Sequence, residues 1–233
     1  MIRALALVVT LTGAAEAQDI TRAWYDEPTT RYPHGILGDA IEHGALVMQT
    51  KDGRQLRVTL PETRVFEDTE PRLFDVDGDG DREVIVVESD AARGARLSIY
   101  SVDGLLAAND FIGQTNRWLA PAGVGAADID GDGRVELVFV DRPHLAKILR
   151  IYEFRPGELA LEASFQAVTN HRIGERDIAG GIRTCAGSPE IVVADADWSE
   201  VLAIRWDGAR FDLTRLGPHR GRSSFSEAMS CKN

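Results

Sequence analysis

Two nonapeptides hold the residues best suited to chemistry. Asp75-Val76-Asp77-Gly78-Asp79-Gly80-Asp81-Arg82-Glu83 carries side-chain oxygens at its positions 1, 3, 5 and 9, and Asp128-Ile129-Asp130-Gly131-Asp132-Gly133-Arg134-Val135-Glu136 carries them at the same places. Alternate residues of a tight loop converge on one point, and the glycine after the third aspartate lets the backbone turn with φ > 0. Carboxylates packed this closely repel one another unless a cation lies among them. Hard divalent ions with six to eight oxygen ligands suit such a set, calcium better than magnesium. Position 7 offers its main-chain carbonyl, so Asp81 and Arg134 need not agree in side chain. The pattern predicts two calcium sites of structural character: Asp75, Asp77, Asp79, Asp81 and Glu83 form one, and Asp128, Asp130, Asp132, Arg134 and Glu136 the other. Asp and Gly are also ordinary turn formers, and a solvated turn is the alternative.

The elements around these loops repeat. Asp75 and Asp128 lie 53 residues apart, and a weaker third copy aligns Glu190 with Glu83 and Glu136. Each copy runs from a short apolar stretch (EVIVV, ELVFV, EIVVA) through a turn into an alternating segment (ARLSIYSVDG, KILRIYEFRPG, EVLAIRWDG), and then into one more. Alternation punctuated by Gly, Pro and Asp is the β signature. A fainter first copy, IEHGALVMQT followed by DGRQLRVTLP, precedes them, and a threonine with an arginine close behind opens every unit: Thr30-Arg31, Thr63-Arg64, Thr115-Asn116-Arg117 and Thr169-Asn170-His171-Arg172. From that threonine to the unit's glutamate is 20 or 21 residues in the later units and 12 in the first, which leaves no room there for an acidic loop. A period near 53 with about four strands per unit predicts an all-β fold, a small β-propeller-like array of four or five four-stranded blades. A two-sheet sandwich is the rival. No helix-period segment of convincing length is present.

DVDGDGDRE and DIDGDGRVE, each running into an apolar strand, resemble the FG-GAP/VCBS repeats of integrin α-subunit propellers and many exported bacterial proteins. The resemblance implies a propeller with calcium in its loops. Family propellers often have seven blades, more than this length accommodates. The fourth unit departs from the pattern: Ile182, Thr184 and Ala186 stand where aspartates would be, so it is expected to bind no calcium.

The N-terminus reads as an export signal. Arg3, an apolar stretch from Ala4 to about Ala14 and the triplet Ala15-Glu16-Ala17 follow the order of a secretory signal peptide cut after Ala17, which leaves residues 18–233 as one domain. The protein is thus expected in the periplasm or outside the cell, without a transmembrane segment. A formal net charge of −11 argues against nucleic acid as a partner. Cys185 and Cys231 are the only cysteines, and an even count in an oxidising compartment predicts a disulfide bracing the degenerate fourth loop.

Familiar catalytic constellations are missing: there is no G-x-S-x-G, no H-E-x-x-H and no C-x-x-C. A propeller enzyme, a hydrolase or lyase acting on a sugar or ester at an axial mouth, is the second reading. The first is a binding or scaffold module. If the unit junctions gather at one end, Arg64, Asn116, Arg117, Asn170, His171, Arg172, His219 and Arg220 form a cationic mouth for a protein partner or for a carbohydrate or other anionic ligand. The competing expectation pairs these residues with acids such as Glu67, Asp68, Glu175 and Asp177.

Overall fold

The computed structural model describes residues 18–185 and 187–231. The signal-peptide segment and Ala186 lie outside the described residues.

The apolar runs become buried strands. In order, β1 (Ile20–Thr29), β2 (Glu42–Thr50), β3 (Gln55–Thr59), β4 (Arg64–Phe66), β5 (Arg72–Phe74), β6 (Glu83–Asp90), β7 (Gly94–Ser101) and β8 (Gly104–Ala108) make one antiparallel sheet. A four-stranded sheet follows, ordered β12-β11-β10-β9, from β9 (Leu119–Ala127), β10 (Glu136–Asp141), β11 (Ile148–Arg155) and β12 (Glu158–Gln166). The last sheet holds β13 (Val168–Thr169), β14 (Gly181–Thr184), β15 (Pro189–Asp195), β16 (Glu200–Trp206) and β17 (Phe211–Pro218). A helix, α1 (Arg222–Met229), comes after it.

Three of these strands are buried on both faces, and their alternation shows how the sheets stack. Val84 and Val86 of β6 face a cluster with Leu46, Met48 and Phe66, while Ile85 and Val87 face the other way toward Leu137 and Phe139 of β10. Val138 and Val140 of β10 turn instead to Ile191 and Val193 of β15. Val192 and Ala194 of β15 meet Phe225 and Ala228 of α1. Fully burying one such side chain stabilises the fold by about 1.5–3 kcal/mol, so successive units are held face to face by the hydrophobic effect. Next to one another run β1 and β5, β5 and β9, and β9 and β14.

The all-β expectation holds, with corrections in detail. Among the described residues the units do not separate into equal blades, and no sheet closes on itself. β4 pairs with β6 and also with β2 through His43 and Phe66, which joins the first two units into one eight-stranded sheet. The leading strand of the second unit is interrupted between β4 and β5, and that of the fourth between β13 and β14. Helix α1 was not legible in RSSFSEAM: eight residues bury only Phe225 and Ala228, too few to make a 3.6-residue pattern.

Candidate functional site

Each acidic nonapeptide is the connection of a β-hairpin. Phe74 pairs with Glu83 across the first, and Ala127 with Glu136 across the second. Inside both loops the side chains fold back on the chain in the same way. Asp75 accepts the N–H of Gly78 at 2.7 Å and of Gly80 at 3.0 Å, and Asp128 accepts those of Gly131 at 2.8 Å and Gly133 at 3.2 Å. Glu83 Oε2 accepts the Val76 N–H at 3.0 Å, and Glu136 Oε2 the Ile129 N–H at 2.6 Å. Gly78, Gly80, Gly131 and Gly133 all adopt positive φ, which a side chain would resist.

The result is two groups of convergent oxygens, Asp75 with Asp77 and Glu83, and Asp128 with Asp130 and Glu136, whose facing atoms lie within 4.8 Å of one another. Both groups are able to hold a metal ion. Burial, with the charges of Asp77, Asp79 and Asp75 added, pushes the Glu83 carboxyl up to about 7, and burial pushes Glu136 up to about 8. Asp77 is raised for the same reasons, its own loss of water first. Glu136 is fully buried and its Oε1 has no hydrogen-bond partner among the described residues. A bare buried carboxylate oxygen at the focus of two aspartates is an electrostatic cost that a cation would relieve. Asp79 and Asp132 stand outside these trios, accepting the N–H groups of Asp81 and Arg134, each at 2.8 Å. The Arg134 guanidinium binds Glu153 at 2.6 Å and lies 3.9 Å from Asp132 Oδ2; a cationic side chain is no metal ligand, so only its main chain can serve the loop in that role.

Residues 75–139, from the first acidic loop into β10 beyond the second, match the family described as FG-GAP-like repeat. The chain carries an FG-GAP-like repeat. No curated protein matches the chain. Among solved structures, the WD40 domain of SCAP from fission yeast resembles it at 13% identity and a TM-score of 0.42, over 90% of this chain and 46% of that one, so the present chain spans about half the length of that neighbour.

Outside the matched FG-GAP-like repeat, the fourth unit replaces the acidic loop by a covalent link. Cys185 follows β14 at the equivalent hairpin connection and is disulfide-bonded to Cys231, just past α1. Gly208, in the turn between β16 and β17, approaches the repeat's second loop so closely that a Cβ there would lie 2.9 Å from Asp130 Oδ2. The first loop has a different neighbour: Arg82 binds Asp19 through Nε at 2.9 Å and Nη2 at 2.8 Å.

The residues expected at a cationic mouth are only partly brought together. Asn116 and Arg117 line a pocket of about 290 Å³ with His34, Trp118 and His144. His171 is buried behind it, against Trp118 and His144, and Asn170 is buried with its amide bound to the carbonyls of Ala120 and Pro121. Arg64 faces Glu88 and Asp90, and Arg172 lies over Trp198, which also touches His219. Arg220 is exposed beside α1, its N–H bound to Ser224. The acids take other partners: Asp68 binds Arg72, Glu67 binds His34, and Glu175 and Asp177 bind Arg222. His34, His144 and Arg142 also line the pocket; they sit in loops far apart in the chain, so no spacing in the sequence links them.

Proposed function

We propose that this chain is an exported, calcium-binding propeller-like repeat protein that serves as a binding or scaffold module, with calcium in a structural role. The bare Glu136 Oε1, buried beside Asp128 and Asp130, is the observation that carries the metal reading. Asp75, Asp77 and Glu83 would hold one ion and Asp128, Asp130 and Glu136 the other, with Asp79 and Asp132 and the carbonyls of Asp81 and Arg134 able to complete an oxygen-only shell. Bound calcium supplies positive charge that ties the two strands of each hairpin together. In blade terms, β1, β2 and β3 form an incomplete first unit, and each later unit adds a leading strand before its acidic or disulfide-linked loop. Export is supported by the signal-like N-terminus and by the disulfide, which suits an oxidising compartment. Large stacked sheets with exposed connecting loops suit recognition of a protein partner.

Calcium titration by calorimetry, paired with thermal melting in calcium and in EGTA, tests this. Two sites are expected. At a ligand concentration of about 100 times Kd each adds about 2.7 kcal/mol, and a domain this size gains about 2–4 °C per kcal/mol. Identical melting in calcium and EGTA would exclude the metal role.

A further inference from the structure

The pocket beside Trp118 lies at the opposite end of the sheets from the acidic loops: Arg142, Pro143, His144 and Leu145 follow the end of β10, whereas the loop bearing Asp128 precedes its start. Its wall is fixed from behind. Trp118 is buried and donates its indole N–H to the Glu67 carbonyl at 2.6 Å. The Glu67 side chain, fully buried, takes His34 Nδ1 at 2.5 Å on one oxygen and the Ser89 hydroxyl on the other, which leaves Nε2 as the uncommitted nitrogen of His34.

Proton bookkeeping sets the other ring. His171 Nε2 faces the Glu175 carbonyl at 2.9 Å and must donate, so its Nδ1 accepts from His144 Nε2 at 2.9 Å. His144 therefore presents Nδ1 as an acceptor. Burial, and then the nearby His171, pushes His144 down to about 4, so it is neutral near pH 7. Arg142 is paired with Asp141, at 2.7 and 2.9 Å, a carboxylate it shares with Arg150 at 3.3 Å. Arg117 differs. Its guanidinium meets only the carbonyls of Thr115 and Asn116, and it has no carboxylate partner among the described residues. Asn116 and Arg142 both hold left-handed backbone, φ 52° and 47°, an uncommon conformation for residues with side chains and one that gathers at binding sites. Around the polar groups stand Ile36 and Pro143, with Leu145 63% and Ile173 69% exposed at the rim.

We propose that this pocket binds a small organic acid, its carboxylate on Arg117 with Asn116 and His34 Nε2 beside it and its apolar body against Ile36, Pro143, Leu145 and Ile173. One uncompensated guanidinium in a partly apolar concavity selects a single negative charge on an apolar stem. A volume of about 290 Å³ favours a free acid over a peptide segment. Nothing in this depends on the metal loops, so the two readings fail separately.

Phenylacetate and its uncharged analogue phenylacetamide are the probes, titrated into the calcium-loaded protein by calorimetry and amide chemical-shift mapping. Phenylacetate should bind in the millimolar range or tighter and shift the amides of Asn116, Arg117 and Trp118, while phenylacetamide binds at least about tenfold more weakly, the loss of a charge-assisted contact. Arg117→Gln should weaken phenylacetate by about tenfold and Arg117→Lys by less, with melting temperature and calcium stoichiometry unchanged. Equal binding of acid and amide, wild-type binding by Arg117→Gln, or no phenylacetate binding at millimolar concentration each overturns the proposal. A peptide ending in phenylalanine that binds at least about tenfold more tightly than phenylacetate overturns the choice of a free acid.

Discussion

Glu136 reaches back across its own loop to Ile129: Oε2 accepts the Ile129 N–H at 2.6 Å while Oε1 stays buried without a partner among the described residues. Glu83 makes the corresponding bond to Val76 at 3.0 Å. Replacing Glu136 by Gln keeps the size and removes the charge. Calorimetry should then find one calcium site in place of two. In EGTA the variant should melt no lower than the wild type, because an amide is cheaper to bury than a carboxylate. In calcium it should melt lower, by about 5–10 °C for a site otherwise saturated at about 100 times Kd.

Asp77 and Asp81 should differ sharply on substitution. Asp77 belongs to the convergent trio and Asp81 does not. Asp77→Asn should lower calcium affinity at the first site about tenfold or more, and Asp81→Asn by less than about threefold, since a main-chain carbonyl survives the change. Calcium isotherms of the two variants make the comparison, and equal losses would place the Asp81 side chain among the ligands.

Gly208→Ala probes the junction between units. The glycine has φ 82°, and the new Cβ would lie 2.9 Å from Asp130 Oδ2, so backbone strain and a displaced aspartate come together. Stability should fall by about 1 kcal/mol or more from the backbone alone. Calcium affinity should fall at the second site and hold at the first.

The disulfide closes a loop with a sequence separation of 46 between Cys185 and Cys231, for which chain entropy alone gives about 4 kcal/mol. Changing both cysteines to Ser should cost about 2–4 kcal/mol by denaturant unfolding. Hydrogen exchange should show the earliest loss of protection in α1, whose packing on β15 rests mainly on Phe225 and Ala228.

A pH effect should come from Glu42, which is buried at the start of β2. Burial, followed by the negative charges of Glu67, Asp39 and Asp68, pushes its carboxyl up to about 9 from an ordinary 4.5. The folded state therefore binds the proton more tightly than the unfolded chain. Its contribution is full below about pH 4.5 and is lost as pH rises toward 9. Glu42→Gln should leave melting near pH 4.5 unchanged and raise it at pH 8 by several degrees, at about 2–4 °C per kcal/mol. Parallel melting curves of the two proteins across that window would contradict the assignment.

Local chemistry was enough to mark the acidic loops. Asp at alternate positions with Gly between them dictates both the turn and the convergence of oxygens, and the hydrogen bonds of Asp75 and Asp128 repeat that pattern residue for residue. The unbroken apolar runs EVIVV and ELVFV likewise read as strands, and their burial on both faces is the reason no polar residue alternates within them. Other features needed the assembled chain. The fusion of two units through β4 turns on a single pairing of His43 with Phe66, the capping of β15 by α1 on two side chains, and the pocket on the meeting of His34, Arg117 and His144 from separate loops. No periodicity links such residues along the chain. What brings them together is the face-to-face burial of apolar strands, a non-directional force whose partners are chosen only when all the sheets are stacked.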